Sequence, residues 1–188
     1  EKGLQSSLKI EFIFCARLLI SKGIKTFLEL AKEFPEHEFI VFGAFDYSSK
    51  DCIKNSEFLD LCKNRNITFK GHIRNPLLKS KFKNPVLIVP SYYGEGLPRA
   101  ILEAFSLKIP VICSLPATTN LFSKKELYIV KNKELSYYKA SVLRLIKDLK
   151  KGYLEKKLNN ALKFSKKFSE EEIVIKTNEI YSELLNKK

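Results

Sequence analysis

Apolar residues fall along this chain in short unbroken runs, separated by stretches with helical spacing. The runs at 10–19, 38–43, 67–70, 86–89, 111–114 and 127–130 predict six strands. Between them, 22–33 carries Ile24, Phe27, Leu28 and Ala31 on one helical face, and 51–63 carries Ile53, Phe58, Leu61 and Cys62. Residues 75–82 predict a short helix or turn, and 98–107 a helix. Several strands are continuously apolar rather than alternating, which requires cover on both faces. Strands and helices alternating across short joints predict a doubly wound, Rossmann-like α/β fold around a parallel sheet.

From 134 onward the spacing is helical, giving additional C-terminal helices. Leu135, Tyr138, Val142, Leu145, Ile146 and Leu149 form one stripe, and Gly152 interrupts it. Leu154, Leu158, Ala161 and Leu162 form the next. Ser169 followed by Glu172 reads as a capping box opening a last helix. That helix is expected to turn Ile173, Thr177, Ile180, Tyr181 and Leu184 inward. The division is a linker at 1–8, a binding domain over 9–168 and a separate helix over 169–188.

With 188 residues, 45% apolar and 29% charged, the chain has the composition of a globular domain with a sizeable core. No apolar run approaches the roughly 18 residues that would span a bilayer. Methionine is absent, which points to a piece of a longer protein. The four cysteines have no metal-ligand spacing; Cys15 and Cys113 lie in strand runs and read as core residues, suiting a reducing, cytoplasmic setting. The net charge of +13 comes mainly from lysines spread along the chain, so its first reading is a solvated surface. An anionic membrane surface ranks next as a partner, and nucleic acid, for which no signature is present, last.

Residues 90–103 read PSYYGEGLPRAILE. An apolar run ends at Pro90, Gly94 and Gly96 flank Glu95, and Pro98 falls where a helix would begin. Strand, glycine-bearing loop and helix N-terminus together make an anion site, because unpaired N–H groups and the helix dipole face outward. Glu95 and Glu103 would repel phosphate but would accept hydrogen bonds from hydroxyls. A ligand with phosphates in the middle and hydroxyls on both sides is a nucleotide sugar.

Four ordered segments carry a resemblance. FCARLLISKG over 14–23, FIVFG over 39–43, ITFKGH over 67–72, and 90–106 with the following Ile109-Pro110-Val111-Ile112 resemble the C-terminal, donor-binding half of GT-B retaining glycosyltransferases of family four. The pair Glu95 and Glu103 matches that family's E-x7-E signature, and residues 161–185 resemble its ending. The closest resemblance is to the branch that builds capsular polysaccharides and lipid-linked oligosaccharides.

The resemblance implies roles. Arg17 and Lys22 would hold the donor diphosphate and stabilise the leaving group without metal. Glu95 would face the transferred sugar, and Glu103 would accept from the ribose hydroxyls. The backbone of Gly96, Leu97 and Arg99 would donate to phosphate and sugar around Pro98, which cannot donate. Gly71, His72 and Ile73 would meet the base through main chain. The donor, a UDP-sugar first among the options, is substrate; no cofactor and no metal are expected. The family's chemistry retains anomeric configuration, and the same-face route is preferred over a covalent intermediate on Glu95. The acceptor, a glycan or lipid-linked glycan, would be bound by a preceding lobe, and this chain alone would transfer nothing. Ile173, Ile180 and Leu184 would then be partly exposed or packed on a neighbour.

The chain departs from the family pattern at Lys108, where glycine is usual, at Ala117 and Asn120, and at a missing Gly-Asn-Gly turn before the strand near Leu127. Two other classes remain open. One is a different GT-B enzyme, an epimerase or phosphorylase, for which His37 and His72 are the only histidines available. The other is a basic module for RNA or anionic membrane.

Overall fold

The computed structural model describes residues 8–118 and 121–186. All but the last residue of the expected 1–8 linker, and the atypical Asn120, lie outside them. Among the described residues, six parallel strands form one sheet in the order β3-β2-β1-β4-β5-β6. They are β1 (Glu11–Cys15), β2 (Glu38–Phe42), β3 (Ile67–Phe69), β4 (Pro85–Val89), β5 (Val111–Ser114) and β6 (Tyr128–Val130). The helices are α1 (Ile24–Glu33), α2 (Asn55–Leu61), α3 (Pro76–Lys79), α4 (Arg99–Ser106), α5 (Leu135–Lys150), α6 (Leu154–Lys166) and α7 (Glu170–Asn186).

Successive strand residues point to opposite faces, and each face has its own core. Phe12, Phe14, Phe39, Val41 and Ile88 pack with α1, α2 and α5. Ile13, Ile40, Leu87, Val111 and Cys113 pack with α3, α4 and α6. With no Trp or Met in the chain, Phe supplies the bulk: Phe12–Phe39 and Phe27–Phe39 centroids are 4.9 and 5.2 Å apart on the first face. On the second, Phe105, Phe122 and Phe164 tie α4 to α6. Truncating a ring as fully buried as Phe27 costs about 3–5 kcal/mol in such settings.

The chain leaves β1 toward α1 on one face and β4 toward α4 on the other. These neighbouring strands therefore part at their carboxyl ends, and a crevice opens there, the switch point at which open α/β sheets bind ligands.

Among the element boundaries that differ from expectation, three have a clear structural cause. The first strand stops at Cys15 rather than 19, because residues 16–23 form a loop held by chain beyond β2: Ile20 N–H donates to Asp51 O, and Ile53 N–H to Leu18 O. The same tethers consume 51–53, so α2 starts at Asn55. α1 starts at Ile24, not 22, because Gly23 is left-handed at φ 78°.

The last helix corrects a pattern reading. The Ser169 hydroxyl does accept the Glu172 N–H at 3.3 Å. However, Ile173, Ile180, Tyr181 and Leu184 are 51–63% exposed, not turned into this domain's core, and Thr177 is exposed as well. Periodicity shows that a helix has an apolar face and does not say what covers it.

Candidate functional site

Two cavities meet in the crevice. The first, about 270 Å³, is lined by Arg17 and Lys22 from the loop after β1, by Ser91, Glu95 and Pro98 from the loop after β4, and by Arg99 and Ala100 at the start of α4. The second, about 410 Å³, is lined by Phe42, Gly43 and Ala44 at the end of β2, by His72, Ile73, Asn75 and Pro76 after β3, and by Glu103 on α4. Cys15, Ala16, Arg17 and Ala100 belong to both, so the two form one cleft.

The floor of this cleft is held by close backbone contacts. A Cβ on Gly23 would stand 2.1 Å from Pro90 O, and one on Gly43 2.0 Å from Ala16 O. Tyr92 N–H donates to Ser21 O at 2.7 Å, and the Ser114 hydroxyl donates to Ser91 O at 2.5 Å. Asp51 Oδ2 accepts both the backbone N–H and the hydroxyl of Ser21. The loops after β1 and β4 are thus clipped to each other before any ligand arrives.

The charged residues are arranged in pairs. The Lys22 ammonium donates to Glu95 Oε1 at 2.6 Å and sits 4.6 Å from the centre of the Tyr93 ring. Burial works against that ammonium, but hydrogen bonds and charge from Glu95 and Tyr93 outweigh it and raise its pKa above the ordinary lysine value. Arg17 Nη1 donates to Asp46 Oδ2 at 2.6 Å. Between the cavities, burial, reinforced by the Glu103 charge, pushes the Cys15 thiol up to about 12. Cys15 is a neutral, unreactive wall at working pH.

At the start of α4, Pro98 caps the helix with extended backbone, and Ile101 N–H returns to Pro98 O. Arg99 and Ala100, in the first turn, have no intrahelical carbonyl for their N–H groups to reach. Both residues line the first cavity, so that end of the cleft is suited to an anion.

Of the site residues expected from sequence, Arg17, Lys22, Glu95, Pro98, Arg99, Glu103, His72 and Ile73 all line this cleft. Gly96 and Leu97 are exposed at its lip and line neither cavity. Gly71 does not line it either; with φ 68° it offers its carbonyl to Gly43 N–H and shapes the second wall. Asp46, Asp51, Ser91 and Tyr93 were missed. Asp46 and Asp51 belong to loops whose placement follows from tertiary packing, while Ser91, directly after a strand-ending proline, carried a usable signal.

The family model described as glycosyl transferases group 1 matches residues 2–164. The chain belongs to that family. A relative named for teichuronic acid biosynthesis, the glycosyltransferase TuaC of Bacillus subtilis, is 30% identical over 84 residues, which cover 42% of this chain and 22% of TuaC. HepE from Anabaena, solved in complex with UDP, superposes with a TM-score of 0.70 at 18% identity, over 95% of this chain and 49% of HepE. The C-terminal domain of the group 1 family protein LpcC from Francisella tularensis superposes with a TM-score of 0.63 at 22% identity, over 83% of each chain. This chain thus spans about half the length of HepE and far less of TuaC. The structural likenesses establish the GT-B type of α/β fold.

Proposed function

We propose that this chain is the donor-binding half of a retaining glycosyltransferase that moves a sugar from a nucleoside-diphosphate sugar, a UDP-sugar first, to a polysaccharide or lipid-linked acceptor. The observation that carries the reading is the two-part cleft at the switch point, with Arg17, Lys22 and the α4 N-terminus at one end and Glu103 at the other. The first cavity suits the diphosphate and its sugar, and the second a nucleoside whose ribose hydroxyls reach Glu103. The UDP in HepE and the teichuronic acid name of TuaC support the donor and acceptor classes.

In the transfer step the bond from the anomeric carbon to the β-phosphate oxygen breaks, and its electron pair stays on that oxygen. The acceptor hydroxyl oxygen bonds to the same face of the carbon, and its proton passes to the departing phosphate. Arg17, Lys22 and the free N–H groups of α4 would stabilise the charge growing on phosphate. Glu95, anchored on Lys22, would orient sugar hydroxyls. The acceptor would come from a preceding lobe, toward which α7 would cross with its exposed Ile173, Ile180 and Leu184. At the cytoplasmic face of a membrane, the charge of +13 would favour anionic lipid.

A histidine-dependent epimerase or phosphorylase would need that imidazole placed as an acid–base group inside the cleft. His37 is buried against Phe12 and Phe34, where burial lowers its pKa, and His72 is exposed at the rim. Neither placement favours that reading.

Thermal shift with a panel of UDP-, GDP- and ADP-sugars tests the proposal, since a ligand that binds only the folded state raises its stability. At least one donor is expected to raise the midpoint, and Arg17→Ala and Glu103→Ala to abolish the rise. A flat response to the whole panel would remove the reading.

A further inference from the structure

Arg17 already has a partner. Its Nη1 donates to Asp46 Oδ2 at 2.6 Å, and the other oxygen of that carboxylate accepts from the Ser48 hydroxyl at 2.5 Å. Asp46 lies four residues past the end of β2, in the loop that continues from the wall of the second cavity. The Ser48 hydrogen bond first, and then Arg17, hold its carboxyl below the usual carboxylate range. Asp46 is therefore an anion whenever a nucleotide could bind.

A guanidinium has five N–H donors, and Asp46 takes one, so Arg17 keeps others for phosphate. An arriving diphosphate nevertheless meets a fixed negative charge on the far side of its own cation. Were the aim only to orient Arg17, a neutral acceptor would do so without this repulsion.

We propose that Asp46 is a charge gate on the donor site: it competes with the diphosphate for Arg17 and makes retention fall as ligand charge rises. This rests on the donor-site reading above and adds a specificity residue to it. The consequence concerns turnover. In a nucleotide sugar the β-phosphate is esterified, but transfer leaves it terminal, with a second ionisation near pH 6. The product therefore carries about one more negative charge than the donor. A fixed carboxylate beside Arg17 penalises the product more than the donor and so favours its release.

Titration calorimetry on the chain, wild type and Asp46→Asn, with UDP, UDP-glucose and uridine tests this; the guanine and adenine counterparts are run alongside. Asp46→Asn is expected to bind the nucleoside diphosphate about three- to tenfold tighter, the sugar-bearing donor by a smaller factor, and the nucleoside unchanged. The gain should shrink between 50 and 500 mM NaCl, since screening removes charge repulsion at an exposed rim. Unchanged or weaker diphosphate binding by Asp46→Asn, while wild type binds and Arg17→Ala does not, would overturn the gate and leave the donor site standing. Equal tightening of donor and product would also overturn it. No binding by either protein would overturn both readings.

Discussion

Lys22 and Glu95 are 73 positions apart in sequence and 2.6 Å apart in space, joined across the crevice between the loops after β1 and β4. One was expected to hold phosphate and the other to face sugar; they form a single unit. Replacing Lys22 by Met strands a half-buried carboxylate and removes a cation. Nucleotide affinity is expected to fall about tenfold or more, since truncating one partner of a hydrogen-bonded charge pair is costly. Glu95→Gln frees the ammonium instead. Calorimetry should show nucleotide binding retained or tightened in Glu95→Gln, while sugar transfer by the whole enzyme drops in kcat rather than KM. Equal loss of nucleotide binding in both variants would contradict this division of labour.

Gly23 stands beside Lys22 at φ 78°, with its Cα facing Pro90 O. Alanine there suffers twice, from left-handed backbone and from a Cβ that would stand 2.1 Å from a carbonyl oxygen. Gly23→Ala is expected to lose about 2–4 kcal/mol in urea unfolding. Gly96 has no positive φ and nothing within 4 Å of its would-be Cβ, so Gly96→Ala should stay within about 0.5 kcal/mol. Similar losses at both sites would remove steric closeness as the reason for glycine at 23.

The six strands, their parallel sheet and most of the cleft were legible in the sequence because each rests on local pattern. Apolar runs mark strands, and Pro98 marks a helix start. Glu95 and Glu103 could be read from the glycine-bearing loop and helix that follow a strand, and Arg17 and Lys22 through the family resemblance. What stayed hidden was long-range. Nothing near Arg17 in sequence announces Asp46, 29 positions on, and nothing in 51–53 announces that it fastens the loop after β1. The apolar face of α7 was legible as a face; its periodicity alone put Ile173, Ile180 and Leu184 inward, whereas the resemblance implied their exposure, which is what is found. The missing glycine turn before β6 also has a local answer: the Glu126 carboxylate accepts from the Ser123 backbone N–H and hydroxyl and closes the turn with side chains.

Cys15 should make the protein sensitive to alkali. Its thiol is pushed up to about 12 by burial and then by Glu103, whereas an unfolded cysteine ionises near 8.5. The raised folded value means its contribution is whole below the unfolded pKa and is lost as pH rises toward the folded one. Between those values the unfolded chain has released a proton that the folded chain keeps, so stability falls by up to about 1.4 kcal/mol per pH unit. Urea titrations at pH 8.5 and 10.5 should show a steeper decline for wild type than for Cys15→Ala. Parallel declines would show that this thiol is not the source. Maleimide should likewise leave Cys15 unmodified at pH 7.5 until the chain unfolds.

Lys108 explains one departure from the family pattern and offers a gain. It follows α4 with φ 54°, the left-handed conformation in which a glycine is usual. Lys108 N–H donates to Phe105 O at 3.1 Å and Ile109 N–H to Ala104 O at 2.8 Å, the pair of bonds that closes a helix in a Schellman motif. The motif needs one left-handed residue, and a Cβ there costs roughly 1–2 kcal/mol. Ile109 is buried and fixes the exit of the chain toward β5, so the helix end cannot relax to spare the lysine. Lys108→Gly is therefore expected to stabilise the domain by about 1 kcal/mol, less the backbone entropy that glycine adds to the unfolded chain. Urea midpoints should rise with an unchanged m-value, and Lys108→Asn should fall between the two, because Asn tolerates this conformation better than Lys. A loss of stability in Lys108→Gly would mean that the lysine side chain contributes more at this helix end than its backbone strain removes.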